Sequence, residues 1–173
     1  MTDDAAAIER RVRDVLSALD VAHEALPCDP DFADTAAFCA RYGVDLADSA
    51  NAILVASSRP PGRHALCLLL ATTKLDVNRT LCRLLDVRRA SFASPDETQR
   101  LTGMSIGGVT VFGLPESLPI FVDARVMARS SVVIGGGSRS LKLRIPPLEL
   151  CKIPRLQIIE GLARDGGEPC PNP

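Results

Sequence analysis

Two apolar runs, Ala52-Ile-Leu-Val-Ala-Ser57 and Ala65-Leu-Cys-Leu-Leu-Leu-Ala71, lie on either side of Arg59-Pro-Pro-Gly-Arg63. Both are compact, and a turn-forming segment separates them, so they read as paired strands of a buried sheet. Working outward, Ile8, Val12, Val15, Leu16 and Leu19 recur at helical spacing, with Arg and Asp between them, and predict an amphipathic helix over 5–19. His23–Cys28 reads as a short strand ended by Pro30. Asp34 is placed to cap a helix over Thr35–Tyr42, with Gly43 suited to its C-terminal end.

Downstream, Asp76 is expected to cap a helix through Leu85, with Val77, Leu81, Leu84 and Leu85 as its apolar face. Ser94-Pro-Asp-Glu97 combines a capping Ser, Pro at the first helical position and Glu three residues on, which predicts a helix to about Leu101. Gly103-Met-Ser-Ile-Gly-Gly-Val-Thr-Val-Phe-Gly113 follows as a loop. Pro119–Val122 and Ser131–Ile134 read as strands. Leu141-Lys-Leu-Arg-Ile145 alternates apolar and basic residues, the pattern of a half-exposed strand. Pro146-Pro147 starts a short helix over Leu148–Ile153, and 166–173 is expected to be a disordered tail. Strands with irregularly interspersed helices suggest one mixed-sheet domain over 1–165.

Composition narrows the function. Residues 1–50 carry four Arg against eleven Asp and Glu, whereas 51–173 carry sixteen Lys and Arg against ten Asp and Glu. A basic body of that kind can attract a polyanion. Five Phe, one Tyr and no Trp argue against a ring platform for single-stranded bases. The acidic start Met1-Thr-Asp-Asp is unlike a secretory leader, and Ala65–Thr72 is too short to span a bilayer. Six cysteines without C-x-x-C spacing, beside only His23 and His64, do not suggest a zinc site and read as scattered thiols in a reducing cytosol.

With two histidines, neither well placed, a Ser-His-Asp or Cys-His set has little to work with. Nucleotide fingerprints that need a helix after the glycines are also missing, because Gly135-Gly-Gly-Ser-Arg139 leads into a strand. The glycines themselves are the informative feature. Gly107-Gly108 and Gly135-Gly136-Gly137 permit positive φ and let a ligand approach the backbone. Either they are tight turns, or they share a pocket.

The order Leu101-Thr-Gly-Met-Ser-Ile-Gly-Gly-Val-Thr-Val-Phe-Gly113, Leu118-Pro-Ile-Phe-Val-Asp123 and Gly135-Gly-Gly-Ser-Arg-Ser-Leu-Lys-Leu143 resembles the YbaK/ProX family, with Lys74-Leu-Asp-Val and Ala93-Ser-Pro-Asp-Glu97 upstream. These proteins are relatives of the editing domain inserted in bacterial prolyl-tRNA synthetases, and the resemblance covers roughly 30–153. It implies an α/β mixed fold, a partly barrel-like sheet surrounded by helices. It also implies hydrolysis of a mischarged small amino acid from tRNA, with tRNA(Pro) the expected tRNA, without metal, cofactor or protein nucleophile. Positioning and fixed dipoles would do the work. Implied partners are aminoacyl-tRNA and prolyl-tRNA synthetase, with no membrane and no DNA, in the cytoplasm.

The chain departs from the family pattern twice. Asn51 stands where the family carries a Lys, and Val111 where it carries a Pro. The resemblance assigns Asn51 and Gly107 to catalysis, and Gly108, Gly135, Gly136, Ser138 and Arg139 to substrate binding. Arg63, Arg88, Arg89 and Arg144 are candidate tRNA contacts. Because Asn donates a hydrogen bond but supplies no charge, a weakened or non-catalytic module that binds aminoacyl-tRNA or a small ligand is the alternative. A different small-ester or amide hydrolase on the same scaffold is a third.

Overall fold

The computed structural model describes residues 3–166. Its N-terminal helix α1 (Asp3–Ala18) buries Val12 and Leu16, the stripe expected from the spacing. Strand β1 (Glu24–Pro27) and helix α2 (Thr35–Tyr42) follow. Gly43 ends α2 in the left-handed conformation (φ 67°).

The two apolar runs form the long hairpin β2 (Ala50–Arg59) and β3 (Pro61–Leu70), in register from Ala50 opposite Leu70. Both faces of the hairpin are covered. Leu54, Leu66, Leu68 and Leu70 belong to the main core, and Val55, Ala65, Cys67 and Leu69 to a second core on the other side. The period-2 alternation of side chains across a strand therefore explains why apolar residues fill consecutive positions in both runs.

Strand β4 (Thr73–Leu75) leads to Asp76. The expected α-helix here opens instead with a π-helical turn, Val77–Leu81, before the short α3 (Cys82–Leu84). The Asp76 carboxylate accepts from the Thr80 N–H and hydroxyl, and the Asp76 carbonyl accepts from the Leu81 N–H, which widens the first turn. Strand β5 (Arg89–Phe92) then pairs with β2. Helix α4 (Pro95–Thr102) starts as predicted, with the Ser94 hydroxyl accepting from the Glu97 N–H at 3.2 Å.

After the 103–119 loop come β6 (Ile120–Asp123), α5 (Ala124–Met127), β7 (Val132–Gly135) and β8 (Leu141–Ile145). The helix expected after Pro146-Pro147 is a 3-10 segment, Pro147–Lys152. Strands β9 (Leu156–Ile159) and β10 (Ala163–Asp165) complete the described chain. Of the expected tail, 167–173 lies outside the described residues.

The strands form a five-stranded sheet in the order β5-β2-β3-β6-β9, a three-stranded sheet β1-β8-β7 and the pair β10-β4. The expected mixed character holds, since β3–β6 and β6–β9 are parallel and the other pairs antiparallel. The partly barrel-like sheet is not closed into a barrel among the described residues. β5 and β9 are the two open edges of the large sheet, which meets the three-stranded sheet through the single parallel bridge Ser49–Val133. The half-exposed reading of β8 is also corrected. β8 is the central strand of its sheet, and Lys142 is only 6% exposed.

Candidate functional site

The two glycine stretches meet. The Gly137 N–H donates to the Gly108 carbonyl at 2.8 Å, and the loop 103–113 crosses the end of β7. The crossing leaves no room for a Cβ at Gly135, where it would overlap the Val109 carbonyl. At Gly108 a Cβ would sit 2.5 Å from the Ser138 carbonyl carbon. These glycines are needed first because two backbones touch.

Beside this crossing is a small cavity. Its lining includes Thr35 of α2, Asn51 of β2, Phe92 at the end of β5, Thr98 of α4, Gly107 in the loop, Gly135 of β7 and Lys142 of β8, over an apolar floor with Ile53, Leu54, Ala93 and Val109. The cavity is small, about 40 Å3. Three residues far apart in sequence, Asn51, Gly107 and Gly135, thus share one wall-to-wall site.

The other residues singled out in the sequence are not among its lining. Gly108 and Gly136 are packing positions; a Cβ on Gly136 would lie 2.5 Å from Leu141 Cγ. Ser138 is buried and donates to Glu9 Oε1 at 2.5 Å, tying the glycine turn to α1. Arg139 is a brace. Its guanidinium donates to the Pro30 and Ile106 carbonyls and pairs with Asp34 at 3.3 Å, over a neighbouring open groove. Val111 is buried in the main core. Neither histidine lines the cavity: His23 Nδ1 lies 2.8 Å from the Val21 carbonyl, and His64 Nε2 lies 2.9 Å from Glu97 Oε1.

Lys142 was not anticipated. Its Nζ donates to the Ala33 carbonyl at 2.6 Å and the Gly107 carbonyl at 2.7 Å, and sits 5.5 Å from the centre of the Phe38 ring. Burial pushes its ammonium down to about 8, with Arg139 acting in the same direction, while Cys28, Asp34 and Cys39 oppose. Burial also raises the thiols of Cys28 and Cys39, so both stay protonated at neutral pH. The sequence signal was one Lys in a strand of apolar residues, directly opposite Gly135 in the ladder. Alternation alone assigned it to solvent.

Thr35 and Thr98 were also missed. The Thr35 hydroxyl donates to Asn51 Oδ1 at 2.5 Å, which leaves the two amide N–H groups of Asn51 without a partner among the described residues. Thr98 is 1% exposed, and its hydroxyl has no hydrogen-bond partner among the described residues. The Gly107 N–H, at φ 88°, likewise makes no bond there. The cavity therefore collects uncommitted donors around an apolar floor, with one buried amine below.

Among the described residues, the lining of this small polar-rimmed cleft pairs no nucleophile with a base. The family model for the aminoacyl-tRNA editing domain matches residues 29–153, and the chain belongs to that family. Among solved structures, hypothetical protein APE2540 superposes with a TM-score of 0.79 at 21% identity, covering 89% of this chain and 99% of that one. A candidate trans-editing enzyme for prolyl tRNA synthetase superposes with a TM-score of 0.76 at 20% identity, covering 96% of this chain and 99% of that one. At these identities the two neighbours establish the shared fold. Among the described residues no helix is long and apolar enough to cross a membrane.

Proposed function

We propose that the chain hydrolyses the ester of a mischarged small amino acid on tRNA, with tRNA(Pro) the favoured substrate and prolyl-tRNA synthetase the enzyme whose errors it would correct. The observation that carries this reading is the convergence of Asn51, Gly107, Gly135 and Lys142 on one small cavity. Such a volume suits a small side chain and excludes a large one. Its apolar floor distinguishes amino acids by size, which limits discrimination to about 10–200-fold per methylene.

In this reading water adds to the ester carbonyl carbon and the carbonyl oxygen becomes an oxyanion. The C–O bond to the terminal ribose then breaks, and the proton lost by the water ends on the ribose oxygen. Free amino acid and tRNA are the products. The Asn51 amide and the Gly107 N–H are the donors available for the oxyanion or the substrate amine. Lys142 supplies fixed positive charge beneath the loop and pins the Gly107 carbonyl, so the neighbouring N–H is held in place before the substrate arrives. A positive charge expected on β2 would thus come from β8.

The test is deacylation of a panel of tRNAs charged with Ala, Ser, Cys, Thr and Pro. Hydrolysis of one or more small residues, with Pro spared, is the expected result. No turnover of any member at stoichiometric enzyme would overturn the proposal. The second reading, a binding module without turnover, is favoured only by Asn51. It predicts an inert parent that gains activity on Asn51→Lys.

A further inference from the structure

Most arginines of the chain are spoken for. Arg63 donates to the Leu85 carbonyl and pairs with Asp86, Arg139 braces the loop, and Arg144 pairs with Glu24. Arg59, Arg88 and Arg89 are different. All three are exposed, and among the described residues none forms an ion pair or a side-chain hydrogen bond.

They are also forced together. Arg59 and Arg89 are register partners in the β2–β5 ladder, and the Arg88 N–H donates to the Arg59 carbonyl at 2.7 Å. The three line one concavity with Ser58, Pro60 and Pro61. Arg79 and Arg83, equally exposed and unpaired, stand on the helical segment whose first turn packs on β5. Like charges directly opposite each other destabilise an antiparallel pair. An arrangement that works against folding is understandable where a polyanion neutralises it.

The position of the patch identifies that polyanion. β5 runs from Arg89 to Phe92, and Phe92 lines the cavity. Three strand steps of about 3.3 Å separate Arg89 from Phe92, about 10 Å along the strand. An RNA whose 3′ end enters the cavity would bring its next phosphates along this strand.

We infer that Arg59, Arg88 and Arg89 form the docking surface for the phosphate backbone of the tRNA acceptor arm, with β5 as the rail leading its 3′ end to the cavity. This rests on the editing reading for the location of the 3′ end. Phosphate contacts of this kind position a nucleic acid without reading its sequence, so the patch seats the acceptor arm and does not itself select the tRNA or the amino acid.

The test compares the parent, the triple variant Arg59→Gln/Arg88→Gln/Arg89→Gln, and a control with Arg10→Gln and Arg164→Gln, two exposed arginines elsewhere. Binding of uncharged tRNA is measured from about 50 to 200 mM salt, and hydrolysis of aminoacyl-tRNA is compared with that of aminoacyl-adenosine. The triple variant is expected to bind tRNA at least about tenfold more weakly, with a log K against log salt slope shallower by about 2–3. It should hydrolyse aminoacyl-adenosine at the parent rate, and the control should match the parent throughout. Unchanged affinity and slope in the triple variant, or a parent that binds no tRNA, would overturn the inference. The first of those results would leave an acidic protein surface as the partner of the patch. A parent that binds tRNA through the patch but hydrolyses neither substrate would defeat the hydrolase reading and leave the docking surface standing. Hydrolysis of aminoacyl-adenosine with patch-independent tRNA binding would do the reverse.

Discussion

Lys142 Nζ lies 2.7 Å from the carbonyl oxygen of Gly107, so a cation on the central strand of the small sheet holds the loop that rims the cavity. The same amine holds the Ala33 carbonyl just before α2. Lys142→Met removes the charge and keeps a linear, flexible side chain one atom shorter. Two carbonyls then lose their donor, at about 1–3 kcal/mol for each that stays dry, offset in part by removal of a buried charge. The variant should therefore fold with a lowered Tm. Its kcat for deacylation should fall about 100-fold or more, the scale of losing one fixed transition-state donor, here the Gly107 N–H that Lys142 holds in place, with KM little changed. A variant within threefold of the parent would remove Lys142 from the mechanism.

The pH profile tests the same group in another way. Lys142 titrates near about 8 rather than 10.5 because it is buried. If the ammonium is the working form, enzymatic turnover, corrected for spontaneous ester hydrolysis, falls as pH rises through about 8. Stability should move the other way. Between about 8 and 10.5 the unfolded chain holds this proton and the folded chain does not, so stability rises with pH across that window and is unaffected by this group below it. Both inflections should vanish in Lys142→Met. A rate profile with the same inflection in parent and variant would assign it elsewhere.

Gly107 and Gly135 should respond differently to Ala. At Gly107 a Cβ meets the end of a flexible side chain, Arg139 Nη1, at 2.6 Å, in a backbone with φ 88°. Arg139 can move, at the expense of its bond to the Ile106 carbonyl, and the left-handed backbone costs about 1–2 kcal/mol. Gly107→Ala should stay folded, with Tm lower by about 3–6 °C, and lose activity. At Gly135 the Cβ meets the Val109 and Gly108 carbonyls, which are backbone and cannot swing away. Gly135→Ala should cost about 3 kcal/mol or more and separate the crossing. Equal Tm losses for the two would contradict this division.

Thr98 offers a gain. Its hydroxyl is buried without a partner among the described residues, a state that costs about 1–3 kcal/mol unless a ligand or ordered water satisfies it. Thr98→Val keeps the shape and removes the group. Unliganded protein should be as stable as the parent or up to about 1 kcal/mol more stable. Because Thr98 lines the cavity, selectivity among Ala, Ser and Thr esters should shift toward Ala. Destabilisation in a urea melt by 2 kcal/mol or more would mean that the hydroxyl is already engaged.

How far the sequence carried these points depends on what each residue answers to. The β2–β3 hairpin, α4 and its Ser94 cap were legible because apolar runs and caps are local signals. β5, β4, β9 and β10 were not: they are three or four residues long, lie at sheet edges or in a two-stranded pair, and mix polar or charged with apolar positions. That Asn51, Gly107 and Gly135 share one cavity lining was legible through order and spacing. Lys142 was not, because alternation assigns a Lys to solvent, and only the approach of the Ala33 and Gly107 carbonyls from distant segments makes its burial tolerable. The mixed, partly barrel-like sheet was expected from the resemblance, but where the sheets stay open is settled by tertiary pairing that no local pattern records.

Asn51 and Thr35 supply the last prediction. The Thr35 hydroxyl spends its proton on Asn51 Oδ1 at 2.5 Å, so the amide presents N–H groups rather than its carbonyl to a ligand. Thr35→Val would release the amide to rotate without emptying the site, and should raise KM several-fold with a smaller effect on kcat. Asn51→Ala removes the donors outright, and kcat should fall further. Asn51→Asp is nearly isosteric but replaces two donors with a negative charge, which opposes an oxyanion forming in the same cavity. Activity should therefore rank parent, Thr35→Val, Asn51→Ala, Asn51→Asp. A merely structural role for Asn51 would reverse the last two, because Asp preserves the shape and the acceptor for Thr35 whereas Ala preserves neither.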